Sequence, residues 1–131
     1  MFNNVKNTKK QGDIGMGMAI GYFTAQGYTV LIPLTDSQDY DLVIEKNGLL
    51  KKVQVKTTSY KTPNGIFNIN LSVKGGNRSY NTIKKFNPDL VDYLFIFTSN
   101  GDMYFIPSPQ NITSHLNLGK KYQDFKVFMD G

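Results

Sequence analysis

The spacing of hydrophobic and polar residues changes several times along the chain, and each change marks an element. Between Lys9 and Gln26 (KKQGDIGMGMAIGYFTAQ), Ile14, Met18, Tyr22 and Ala25 recur at steps of three and four, which predicts a helix with one buried face. Gly27 supplies its stop. Gly12, Gly15, Gly17 and Gly21 lie inside this segment, and each disfavours a helix interior by about 1 kcal/mol relative to alanine. Close approach of another backbone, or of a phosphate, is the reading that offsets this.

Beyond Gly27 the pattern shifts to strands. Tyr28 to Leu34 (YTVLIPL) is short, apolar and β-branched, and reads as a buried strand closed by Pro33 and the polar run from Thr35 to Gln38. Tyr40 to Lys46 (YDLVIEK) predicts a second strand. Asn47-Gly48 is the dipeptide favoured in tight hairpins, and Leu50 to Thr58 (LKKVQVKTT) pairs back as a third strand. Side chains alternate along a strand, so Val53 and Val55 point one way while Lys52, Gln54 and Lys56 point the other.

The remainder is less regular. Lys61 to Gly65 is a turn, and Ile66 to Val73 (IFNINLSV) reads as a strand with Ile66 and Leu71 among its apolar positions. Lys74 to Lys85 (KGGNRSYNTIKK) is polar and basic, an exposed loop with room for a short helix. Tyr93 to Thr98 and Met103 to Ile106 form a hairpin across Ser99-Asn100-Gly101-Asp102, and their aromatic residues belong to a sheet core. After Pro107 a helical turn over Ile112 to Leu116 and an edge strand over Tyr122 to Phe128 are the expectations.

Composition narrows the class. A chain of 131 residues, 40% hydrophobic, suits one packed domain over residues 1–131. The absence of cysteine excludes disulfides, thiolate zinc sites and a cysteine nucleophile together. The single histidine, His115, leaves little room for an imidazole metal centre and reads as incidental. No apolar run reaches the roughly 18 residues of a membrane span, so a soluble, cytoplasmic protein without membrane partners is expected, nucleoid-associated when DNA-bound. The formal charge of +5 favours a polyanionic partner. Glu45 is the only glutamate, so aspartates must carry any acidic chemistry.

The hairpin at Asn47-Gly48 brings Asp41 beside Gln54 or Lys56 on the next strand. A carboxylate, an amide oxygen and an ammonium would then share one patch of sheet. The two oxygens suit a hard cation such as Mg²⁺, and the lysine can orient water or stabilise charge on phosphorus. Alone, each residue is equally at home on the solvent face of an antiparallel sheet.

Taken in order, the segments NTKKQGDIG, GYTVLIPLTDSQDYDLVIEKNG and LLKKVQVKTTSY resemble the PD-(D/E)XK nucleases, and among them the group with QxK in place of (D/E)xK. The likeness is closest to group I intron homing endonucleases of this fold and looser to archaeal Holliday-junction resolvases. It implies a restriction-endonuclease-like α/β fold with an αβββαβ core, a mixed central sheet flanked by helices. It also implies Mg²⁺-dependent cleavage of duplex or branched DNA, with Mn²⁺ as an alternative ion, by a homodimer or homotetramer. Asp41, Gln54, Lys56 and Asp13 take the catalytic positions, and Asp41, Gln54, the Val55 carbonyl and Asp13 the metal. Many members place a glutamate where this chain has Met16, which makes Asp13 its substitute, with Asp36 and Asp39 as further candidates. The DNA contacts expected are Lys9, Lys10, Lys52, Tyr60, Lys74, Asn77, Arg78, Lys84 and Lys85. A protein that keeps the fold and binds DNA but has lost catalysis is the second reading.

Overall fold

The computed structural model describes residues 6–75 and 82–129. One helix, α1 (Thr8–Ala25), opens the fold; Asn7 caps it by accepting the Lys9 N–H at 2.8 Å, and Gly27 ends it with φ +91°. Its buried residues are Gly15, Ala19, Tyr22 and Phe23. Tyr22 is as expected, but Ile14 and Met18 are half-buried and Ala25 is exposed, so the buried stripe is rotated by about one residue. Small residues let the helix lie close to the sheet while Phe23 fills the space beside Phe95 and Phe105.

Of the helix glycines only Gly15 is explained by close approach. A Cβ there would collide with Thr57 Cγ2, whereas Gly12 and Gly17 face open space. Thr57 belongs to β3 (Leu49–Thr58), the longest strand and the one against which the N-terminal half of α1 rests.

The main sheet has six strands in the order β1 (Thr29–Leu31), β2 (Leu42–Lys46), β3, β7 (Tyr93–Thr98), β8 (Met103–Pro107), β10 (Lys126–Val127). All neighbours are antiparallel except β3 and β7, which run parallel from Val53↔Tyr93 to Thr58↔Thr98. The β2–β3 hairpin turns on Asn47 and Gly48, both with positive φ, as that dipeptide predicts. Two apolar layers cover the sheet. One joins α1 to Leu42, Ile44, Val53, Phe95, Phe97 and Met103. The other joins Leu94, Ile96, Tyr104 and Ile106 to the segments that follow β3 and β8.

A parallel pair needs a crossover connection. Here it runs through β4 (Asn68–Asn70), β5 (Val73–Gly75), β6 (Thr82–Lys84) and a 3-10 turn at Pro88–Leu90. The expected mixed α/β class and helix-sheet packing hold. Among the described residues, however, the second helix of the αβββαβ pattern is absent from the crossover, and the second face is covered by β4 paired with β9 (His115–Asn117) and by 3-10 turns.

Other departures are local. The strand from Tyr28 is not buried: β1 is a half-exposed edge, with Leu31, Ile32 and Leu34 open to solvent. Ile66 to Val73 divides into β4 and β5, and the residues turned inward are Phe67, Ile69 and Leu71, one step out of register with Ile66. The basic segment forms the arms of a β5–β6 hairpin where it is described; Asn77 and Arg78 lie outside the described residues. Strand β9 replaces the helical turn at Ile112 to Leu116, because Leu116 is drawn into the core opposite Ile69. The last segment is a 3-10 helix, Lys120–Phe125, before the two-residue edge strand β10.

Candidate active site

Register builds the site. The β2–β3 register ends with Leu42 opposite Val53, so Asp41 stands just beyond the last pair, beside the stretch of β3 that carries Gln54 and Lys56. Gln54 and Lys56 alternate with Val53, so their face of the sheet is the one away from α1, since Leu42 and Val53 pack under the helix. Gln54 and Lys56 lie beside Leu94 and Ile96 of β7. The strands part just here: the Asp41 N–H still donates to the Val53 carbonyl at 2.9 Å, but then the Asp41 carboxylate takes over. Its Oδ2 accepts the Val55 N–H at 2.7 Å.

This arrangement fixes one oxygen and leaves the other. Asp41 Oδ1 has no hydrogen-bond partner among the described residues. The peptide N–H and C=O of one strand residue point to the same edge, so the Val55 carbonyl faces the edge where Asp41 sits. Gln54 Oε1 is buried and has no hydrogen-bond partner. Gln54 borders a cavity of about 20 Å³ with Asp39, Leu71, Lys84, Lys85 and Phe86, while Asp41 lines a separate pocket. The Gln54 cavity has room for a single water or a small ion. A buried carbonyl oxygen without a partner is costly, and it is rare in folded proteins.

Electrostatics at the site run against the charged forms. Burial lifts the Asp41 carboxyl above its ordinary range, outweighing the Val55 N–H and the Lys56 ammonium, which pull it down. Asp41 keeps an open side toward solvent, yet the sheet around it removes enough water for burial to dominate. Burial likewise lowers the Lys56 ammonium, with Asp41 opposing. Two oppositely charged groups thus sit together, each underpaid in solvation.

A divalent ion is implied by the sequence resemblance, and the residues present fit one. An Asp41 oxygen without a partner, the orphaned Gln54 amide oxygen and a carbonyl on the same edge are hard, oxygen-only donors. Among the described residues no group of three or more histidine, cysteine or acidic side chains is gathered to hold a metal.

The other expected residues are spread more widely. Asp13 is exposed on α1, the helix that packs on the Val53, Val55 and Thr57 side of β3, while Met16 is half-buried against the apolar layer there. Asp39 borders the Gln54 cavity and pairs with Lys84 at 2.9 Å; Asp36 and Tyr40 line a shallow pocket with Asp41. Lys84 and Lys85 stand at the cavity rim. Lys9, Lys10, Lys52 and Tyr60 are exposed, and the backbone of Lys74 lies in β5. Sequence reasoning missed Asp92, whose carboxylate accepts the Lys52 N–H at 2.8 Å and whose N–H donates to the Lys52 carbonyl, tying β3 to the start of β7. Only the parallel pairing of the two strands reveals it.

Fold and sheet ledge together define a nuclease of the restriction-endonuclease-like class. The PD-(D/E)XK endonuclease model matches residues 6–125, and the chain belongs to that family. Among solved structures it is similar to a bacterial homing endonuclease, I-Ssp6803I, at 27% sequence identity and a TM-score of 0.75, over 87% of this chain and 79% of that one. No curated protein matches the chain.

Proposed function

We propose that this chain is a metal-dependent DNA endonuclease, and the observation that carries the reading is the buried, partnerless Gln54 Oε1 on a strand whose next residue, Val55, binds the Asp41 carboxylate. Asp41 Oδ1, Gln54 Oε1 and the Val55 carbonyl would hold Mg²⁺ or Mn²⁺. When bound, such an ion polarises a phosphoryl oxygen and acidifies water. Asp41 stays oriented because its Oδ2 is pinned by the Val55 N–H. Lys56, one side-chain step along the same face from Gln54, orients the attacking water and offsets charge that builds on the phosphate oxygens. Asp13 stands on α1, across the sheet from Gln54 and Lys56, and is not counted in this ligand set. Lys84 and Lys85 at the cavity rim, with Lys9, Lys10 and Lys52, would meet phosphates, since cations position a duplex without reading its sequence.

The similarity to a homing endonuclease favours duplex DNA over a junction. A homo-oligomer is part of this reading, because the β1 edge leaves Leu31, Ile32 and Leu34 exposed where a second copy can cover them. Light scattering of wild type and Ile32→Asp tests it; a monomer in both removes that part.

Cleavage of supercoiled plasmid and of a four-way junction with Mg²⁺, in wild type, Asp41→Ala and Lys56→Ala, tests the chemistry. Loss of cutting in both variants is the expected result. Cutting that survives both would move the centre elsewhere, and binding without cutting by the wild type would favour a DNA-binding protein that has lost catalysis, a reading prompted by Met16 at the helix position.

A further inference from the structure

The β4–β9 pair is built unlike the rest of the fold. Its inward residues, Ile69 and Leu116, are each 1% exposed and belong to the core. Its outward residues are Asn68 opposite Asn117 and Asn70 opposite His115. Asparagine is depleted in strands because its amide competes with the ladder and packs poorly, so three of them on one face of a short ribbon call for another explanation. The face carries no acidic or lysine side chain. Asn68, Asn70 and His115 of this face line an open cleft of about 550 Å³ together with Thr8, Thr57 and Tyr60, with the exposed Asn117 beside Asn68.

Hydrogen bonds within the ribbon decide what it shows to solvent. Asn70 Oδ1 accepts the Ser72 N–H at 2.9 Å, which leaves its Nδ2 donor facing out. Asn68 Nδ2 donates to Asn117 Oδ1 at 2.7 Å, which leaves the Asn117 Nδ2. Asn68 Oδ1 accepts from His115 Nδ1 at 3.1 Å, which in the neutral ring leaves Nε2 as an acceptor. Neutral donors and an acceptor, already oriented, suit base edges, which offer both kinds of group. Phosphates only accept, and a cationic surface would serve them better.

Position and spacing agree. Alternate residues of a strand are roughly 6.7 Å apart, close to two base steps of about 3.4 Å, and a two-stranded ribbon fits the DNA major groove. The ribbon hangs from the end of β3: Thr58 Oγ1 donates to the Asn68 carbonyl at 2.7 Å, and Thr58 is two residues past Lys56. Two exposed basic residues of α1, Lys9 and Lys10, directly follow Thr8, which lines the cleft.

From this we infer that the β4–β9 ribbon is the base-reading surface of the enzyme, with Asn70, Asn117 and His115 contacting base edges a few base pairs from the cut. The inference rests on the endonuclease reading above and adds where its sequence preference resides. The test is to cut a randomised duplex library in Mg²⁺ with the full-length wild type, Asn70→Ala, Asn117→Ala and, as a phosphate-contact comparison, Lys84→Ala, and to sequence the ends. Expected are wild-type preferences close to the cut. Each asparagine variant should lose preference at one or two of those positions by on the order of tenfold, with an unchanged salt slope, while Lys84→Ala slows all sequences alike. Melting temperatures of the variants check that they fold. Preferences identical in wild type and asparagine variants, or uniform slowing in them, overturn this inference and leave the endonuclease reading standing. No cutting by any protein, wild type included, overturns both.

Discussion

Replacing Gln54 by methionine should make the metal-free protein more stable and its metal response weaker. The substitution keeps length and apolar contact with Leu71, Phe86 and Val91 around the cavity, and it removes the buried oxygen that has no partner. Leaving such a group unsatisfied costs about 1–3 kcal/mol. For 131 residues the entropy of unfolding is about 0.28 kcal/mol/K, taking ~2.1 cal/mol/K per residue. The expected gain is therefore a rise in Tm of about 4–11 °C in EDTA. Ligand linkage runs the other way: an ion at 100 times its Kd stabilises the folded wild type by about 2.7 kcal/mol, close to 10 °C on the same scale. Circular-dichroism melts of wild type and Gln54→Met, in EDTA and across a Mg²⁺ series, read both effects. A variant less stable than wild type in EDTA would mean the oxygen is already satisfied, and an undiminished Mg²⁺ shift in the variant would remove Gln54 from the ligand set.

Two further outcomes follow from the same geometry. Asp41 holds its proton to higher pH when folded than when unfolded. Between the unfolded value of about 3.9 and that raised value the folded state binds more protons, so metal-free stability falls as pH rises. The D41N variant should lose this slope and exceed wild type in Tm at neutral pH while losing cleavage; an identical pH profile in both proteins would refute it. Gly15→Ala should destabilise by about 1–3 kcal/mol because the new methyl meets Thr57, whereas Gly17→Ala, facing open space, should stabilise by about 0.5–1 kcal/mol. Urea denaturation distinguishes the two, and equal effects would show that the helix can shift away from β3.

Local periodicity sufficed for much of the fold. Alternation in LKKVQVKTT set Gln54 and Lys56 on one face, and Asn47-Gly48 set the hairpin register that brings Leu42 opposite Val53 and so Asp41 to the middle of β3, because both signals act between near neighbours. Weakly alternating segments were read less well. Ile66 to Val73 split, and Ile112 to Leu116 became a strand, since burial of Ile69 against Leu116 outweighs the propensity of either segment and neither segment announces the other.

What the chain determined unaided, then, was the order α1, β1, β2, β3, the strand face that carries Gln54 and Lys56, and the resemblance that the first half of the chain bears to a nuclease family. Tertiary structure alone decided that β3 runs parallel to β7, that Gln54 Oε1 is sealed without a partner, and that Asn68, Asn70, His115 and Asn117 share one outward face. The division has a physical cause: strand alternation and turn chemistry are fixed within about ten residues, whereas solvation of an atom and pairing across 47 positions, as between Asn68 and His115, depend on where the whole chain packs.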